Sequence, residues 1–244
     1  MNELQLNNKL VLITGAAKRI GRSLAYACAR AGADVFIHYG HSEKEAIETL
    51  EQIKSLGRHA WIMPADLSRP NEISDLLQQV SNKGSLYALV NSAAMFEPLS
   101  VLDTKLTDWE KHFAVNLTAP FLLSQGFAKQ IEKDGTGRIV NILDWRALRP
   151  GADHFPYTVT KASLAAMTKS LAMALAPNIT VNGLALGAIL PPVDKPVPAD
   201  ILKYVPAARW GGLSEIEEAL IFLLAGPAYI TGEILQIDGG RHLV

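Results

Sequence analysis

The chain has 244 residues, 49% of them hydrophobic, and its 23 lysines and arginines nearly balance 24 acids for a formal net charge of -1. That length suits one large α/β domain, and the near-neutral balance without a basic run argues against nucleic acid as a partner. No apolar run reaches the roughly 20 residues that span a bilayer, the first ten residues lack the basic start and apolar core of a secretory leader, and the single cysteine, Cys28, excludes an internal disulfide; a soluble cytoplasmic protein with no membrane contact is expected.

Residues 9–14 (KLVLIT) read as a buried strand. A turn from Gly15 to Gly21 leads into an alanine-rich helical pattern through Leu24, Ala27 and Cys28, where the cysteine reads as a small core residue. Strand, glycine-bearing turn and helix are the ingredients of a phosphate site, because glycines let backbone N–H groups at a helix N-terminus approach a pyrophosphate. Gly15, Lys18, Arg19, Ile20 and Gly21 are therefore candidate cofactor contacts. Arg19 opposes the helix dipole unless an anion is present.

A second strand over 34–39 ends in His38-Tyr39-Gly40-His41-Ser42. An NAD-binding unit places an acid at this end to hold the ribose 2′-hydroxyl. None is present: Asp34 lies at the opposite end, and Glu43 and Glu45 fall in the first turn of the next helix. With Lys18 on the same side, the pattern favours a 2′-phosphate and hence NADPH, contacted by His38, Tyr39, His41 and Ser42.

The alternation repeats with a helix over 43–56, a strand over 59–63 and a turn carrying Asp66-Leu67-Ser68. Asp66 is placed to accept from an adenine amino group, or to cap the helix over 71–82, and Leu67 sits beside it. A strand over 87–90 ends in Asn91-Ser92-Ala93-Ala94, where small residues let backbone come close to a ligand. Strands alternating with helices predict a doubly wound parallel sheet with its ligand at the C-terminal strand ends.

Residues 106–133 read as largely helical, but Asn116 and Pro120 are poor interior residues and predict a kink near 116–120. A strand over 138–143 delivers Asp144. Tyr157 and Lys161 are four residues apart, so on a helix they share one face. An ammonium nearby favours the phenolate and is expected to bring the tyrosine from about 10 towards neutral pH. That helix continues apolar on more than one face, which suggests burial against a partner subunit as well as the sheet. Residues 190–206 hold five prolines and read as a loop over the site. A strand over 179–184, a helix over 215–224 and a last strand over 233–237 complete one domain over 1–244, its first half for the cofactor and its second for catalysis and substrate.

Thr14-Gly15-x-x-x-x-x-Gly21, Asn91-Ser92-Ala93-Ala94, Asn116, Tyr157-x-x-x-Lys161 and Ile237-Asp238-Gly239-Gly240 together resemble the short-chain dehydrogenase/reductase family over essentially the whole chain. The resemblance implies a seven-stranded Rossmann sheet with helices on both faces and usually a homotetramer. It also implies that Lys161 holds the nicotinamide ribose and lowers the pKa of Tyr157, that Asn116 belongs to the proton relay, and that Asn91, Ser92, Ala93 and Gly187 contact cofactor. Two positions depart from the family pattern: Arg19 replaces the middle glycine of the loop and Asp144 the usual serine. Both changes resemble the pteridine reductase branch, as do Phe96, at the position of an aromatic that stacks on a pterin, and His38-Tyr39 with Ser42. The C-terminal run from Asp238 to Leu243 resembles bacterial dihydromonapterin or dihydrofolate reductases of this type.

The implied activity is NADPH-dependent reduction of a 7,8-dihydropterin or dihydrofolate, with Arg19, Phe96, Asp144 and Tyr157 contacting substrate and no metal. A pterin needs stacking partners, and its reducible C=N bond needs hydride on carbon and a proton on nitrogen, which Asp144 beside Tyr157 suits. The alternative is a carbonyl reductase of 3-oxoacyl thioesters. A non-catalytic dinucleotide-binding regulator fits less well, since a binder needs neither Tyr157 nor Lys161.

Overall fold

A computed structural model of the chain describes residues 5–132, 134–191 and 201–244. The first half builds β1 (Leu10–Ile13), α1 (Arg19–Arg30), β2 (Asp34–Tyr39), α2 (Glu43–Ser55), β3 (Ala60–Pro64), α3 (Pro70–Ser81) and β4 (Leu86–Asn91). The second half builds α4 (Leu106–Phe113), α5 (Ala119–Gln130), β5 (Gly137–Asp144), α6 (Phe155–Leu175), β6 (Ile179–Leu186), α7 (Leu213–Ala225) and β7 (Ile234–Ile237). The seven strands form one sheet in the order β3-β2-β1-β4-β5-β6-β7, and every neighbouring pair is parallel.

Side-chain alternation divides the core into two layers. Val11, Ile13, Val35 and Ile37 pack with α1, α2 and α7 on one face, whereas Leu10, Leu12 and Phe36 pack with α3 and α5 on the other. Burying such a side chain contributes about 1.5–3 kcal/mol, and burial on both faces explains why the strands read as continuous apolar runs. Cys28 belongs to the first layer, where burial pushes its thiol up to about 12. Among the described residues no helix is long and apolar enough to cross a membrane.

Three features of the sheet position the site. Strand β1 lies between β2 and β4, so successive connections leave it in opposite directions and open a crevice at the C-terminal strand ends. The β5–β6 pairing runs from Gly137 opposite Ile179 to Asp144 opposite Leu186, which holds Asp144 at the last rung. The expected kink is a π-helical stretch, Ala114–Thr118, between α4 and α5. Of the expected loop over 190–206, residues 192–200 lie outside the described residues.

Candidate active site

The loop from β1 to α1 is shaped by what cannot be there. Gly15 has a φ of +65°, and a Cβ on it would stand 2.9 Å from the Cα of Ala93. A Cβ on Gly21 would run into the Gly15 carbonyl. The Thr14 hydroxyl accepts from the N–H groups of Ser92 and Ala93 at 2.9 and 3.0 Å and thereby ties the ends of β1 and β4 together. Helix α1 begins after Lys18 with no capping side chain and no acid in its first turn, so its N–H groups are open to an anion. Arg19 adopts a φ of +54°, where a glycine would be relaxed; an arginine pays about 1 kcal/mol there. Its guanidinium donates to the Pro191 carbonyl at 3.3 Å, across the mouth of the crevice.

The crevice is a cleft of about 720 Å³. Lys18 lines it from the turn before α1, Arg19, Ile20 and Gly21 from α1, His38, Tyr39, His41 and Ser42 from the end of β2, and Asp66 and Leu67 from the end of β3. Ser92, Ala93 and Phe96 close it from the end of β4. The glycine cradle, the uncapped helix start and the cations Lys18 and Arg19 fit the pyrophosphate of a dinucleotide. Asp66 spends one carboxylate oxygen on the N–H and hydroxyl of Ser68, at 2.9 and 2.7 Å, and those bonds are the main reason its pKa is lowered. Asp66 does not cap α3, whose N-cap position is Arg69.

At the other end, Tyr157 and Lys161 stand one turn apart on α6 with Asp144 opposite. The Tyr157 hydroxyl donates to Asp144 Oδ2 at 3.2 Å. Lys161 Nζ donates to the Ile142 carbonyl at 2.6 Å and lies 5.7 Å from the centroid of the Tyr157 ring. Tyr157 is only 7% exposed. Burial first, and then the charge and hydrogen bond of Asp144, raise its pKa well above the ordinary value. The expected depression by Lys161 is therefore reversed: that ammonium is committed to a backbone carbonyl, and burial brings its own pKa down to about 8. Tyr157 is a protonated phenol held on a carboxylate. The ring of Phe96, 54% exposed, meets Tyr157 edge-on with centroids 4.6 Å apart.

A helix-borne Tyr–Lys pair beside a dinucleotide-shaped crevice is the geometry with which the comparisons agree. The family model for short chain dehydrogenase matches residues 9–201. The chain belongs to this family.

Within the short-chain dehydrogenases, the 3-oxoacyl-[acyl-carrier-protein] reductase of Synechocystis sp. is 32% identical over 240 residues, covering 96% of this chain and 97% of that protein. Among solved structures, the FolM alternative dihydrofolate reductase 1 of Brucella canis, complexed with NADP, superimposes with a TM-score of 0.92 at 33% identity, covering 99% of this chain and 96% of the other. A short chain dehydrogenase of Burkholderia cenocepacia in complex with NADP gives a TM-score of 0.89 at 32% identity, covering 97% and 99%.

Four expected site residues, His38 of the cleft lining among them, are also held by bonds or packing within the chain. His38 is buried; its Nδ1 accepts from Gly15 N at 3.1 Å and its Nε2 donates to the Ala65 carbonyl at 3.0 Å, so it clamps the glycine loop to the end of β3. Asn91 donates its amide to Asn141 at 2.8 Å, inside the sheet. Gly187 is outside the cleft lining, and its missing side chain admits Asp238, whose Cα would lie 2.6 Å from a Cβ there. Asn116, in the π stretch, accepts from Met95 N at 2.7 Å and donates to the Met95 carbonyl and Thr160 hydroxyl at 3.0 and 3.1 Å. It bonds neither Tyr157 nor Lys161 through its side chain and instead anchors the loop carrying Phe96. The sequence reading also missed Lys111 and Val115, which line the cleft from α4 and the π stretch; the assignment of 106–133 to one long helix concealed them.

Proposed function

We propose that this short-chain dehydrogenase is an NADPH-dependent reductase of a dihydropterin or dihydrofolate. The carrying observation is the hydrogen bond from Tyr157 to the Asp144 carboxylate with the exposed Phe96 ring beside it. NADPH, when bound, supplies the hydride. The NADP in the Brucella canis and Burkholderia cenocepacia structures supports that cofactor, as does the end of β2, which has His41 and Ser42 where an acid would repel a 2′-phosphate.

Reduction of a C=N bond places hydride on carbon and a proton on nitrogen. Tyr157 retains its proton at neutral pH and holds it beside Phe96, which lines the cleft, and Asp144 takes part in restoring that proton after transfer. Phe96 supplies an apolar face for a flat heterocycle. Lys161 and Asn116 hold α6 and the 92–96 loop in register with this donor.

The similarity to 3-oxoacyl-[acyl-carrier-protein] reductases favours a second reading, reduction of a 3-oxoacyl thioester. The test is NADPH oxidation with dihydrobiopterin, dihydrofolate and an acetoacetyl thioester in parallel, in the parent and in Asp144→Ser. The pterin reading expects a kcat/KM ratio favouring the pterin or folate, and a fall in that ratio for the variant. A parent ratio favouring the thioester decides for the second reading.

A further inference from the structure

We propose that Arg146 is a positioning residue that ties the proton donor and the aromatic wall of the site to a single guanidinium. The proposal rests on the reductase reading above but not on which of its substrates is correct. Arg146 follows Asp144 by two residues, in the 3-10 turn Trp145–Ala147, and its side chain is largely buried. Its backbone N–H and its Nη1 both donate to Asp144 Oδ1, at 2.9 and 3.3 Å. That leaves Asp144 Oδ2 to accept from Tyr157.

On its other edge, Arg146 Nε and Nη2 donate to the two carboxylate oxygens of Asp153 at 3.2 and 2.5 Å. Asp153 meets His154 Nδ1 at 3.1 Å, and the His154 ring lies flat on Phe96 with centroids 4.1 Å apart and planes 6° apart. Phe96 in turn meets Tyr157. The contacts close a ring: Tyr157, Asp144, Arg146, Asp153, His154, Phe96 and back to Tyr157.

The chemistry of this ring calls for arginine. A guanidinium carries five donors in one plane and can satisfy two carboxylates from two edges, whereas an ammonium is a single point charge. Its hydrogen bonds first, with its charge, hold the Asp153 carboxyl down at about 2. His154 sits at a φ of +51°, a left-handed conformation that persists where neighbours impose it. Other charged groups near the ring are Arg241, which like Arg146 stands over the Trp145 indole, at 4.2 and 4.9 Å, and Lys161 beside Tyr157. Arg146 reaches the site through Asp144 and, by way of Asp153 and His154, through Phe96.

The test compares the full-length parent with Arg146→Met, Arg146→Lys and Asp153→Asn, using whichever of the three substrates the parent reduces. NADPH affinity and thermal melting serve as controls. Arg146→Met is expected to lower kcat by about tenfold or more with NADPH affinity within about twofold, and Arg146→Lys to recover part of the loss. Asp153→Asn, which spares the Asp144 end, is expected to raise KM for the substrate several-fold and leave kcat nearly unchanged. Parent-like kcat and KM in both Arg146 variants overturns the proposal, as does a loss that follows NADPH affinity alone. If Arg146→Met does not fold, an unchanged KM in Asp153→Asn overturns it. If the parent reduces none of the substrates, the reductase reading fails separately. Crystal structures of Arg146→Lys and Asp153→Asn then decide: an unmoved Asp144–Tyr157 bond in the first and an unmoved Phe96–His154 stack in the second overturn the proposal.

Discussion

Tyr157 and Lys161 illustrate how a spacing can be read correctly and its electrostatics wrongly. Four residues on a helix share a face whatever surrounds them, so the pair was legible. The sign of the tyrosine shift depends first on how deeply the hydroxyl is buried and then on the Asp144 charge and hydrogen bond, and the depth of burial is known only from the fold. Tyr157→Phe is expected to lower kcat by about 10²-fold while NADPH affinity barely moves, because the ring remains; near-normal turnover would remove Tyr157 as the donor. Lys161 yields a stability prediction. Its pKa is about 8 in the fold and about 10.4 in an unfolded chain, so between those values the unfolded state binds more protons and stability rises with pH. The cost of burying the ammonium is full below about 8 and fades towards 10.4. Urea melts across that window should show the rise in the parent and a flatter profile in Lys161→Met; identical slopes would disprove the assignment. The ring through Arg146, Asp153 and His154 was not legible, because it is built on an irregular turn with no periodicity to announce it.

The strands and helices were legible to within a few residues for most elements, because apolar strands alternate with amphipathic helices and glycine marks their junctions. What periodicity misses is the purpose of single residues inside an element. His38 reads as a polar strand end facing ligand; it lines the cleft, and its ring is in addition the clamp between the glycine loop and β3. The loop itself permits a sharper forecast. Gly15→Ala forces a side chain into a positive φ and against Ala93. It should destabilise the fold by about 1–3 kcal/mol and weaken dinucleotide binding, measurable by urea melts and NADPH fluorescence. An alanine variant with parent stability and affinity would mean that the loop is not the cradle described.

At the scale of the whole molecule, alternation alone led to one doubly wound sheet, and the cleft lies at the C-terminal strand ends as expected. The partner of the assembly was not legible in the same way. We propose a homotetramer, supported by apolar side chains that the single chain leaves in solvent, such as Met173 on α6, 83% exposed, and Leu102, 93% exposed. Light scattering at micromolar concentration should give about four times the 26.4 kDa chain mass; a monomer would reject it. Cofactor choice is also a property of the assembled cleft. NADPH should bind at least about tenfold more tightly than NADH, about 1.4 kcal/mol. A Cβ on Gly40 meets nothing within 4 Å, so Gly40→Asp should erode that preference by charge without a clash. Equal affinities in the parent would refute the reading of the β2 end.

The π stretch over Ala114–Thr118 also limits how this gene can change. A π turn holds one residue more than the α-helical turn it replaces. Losing one codon there would close the widened turn, while Pro120, which has no N–H to donate, would still interrupt the bonding between α4 and α5. The same deletion leaves the flanks nearly in phase but removes the widened turn from which Asn116 projects. Asn116 could then no longer serve Met95 on one side and Thr160 on the other. In-frame deletions recovered from a library should therefore be tolerated in exposed turns and purged from these five positions.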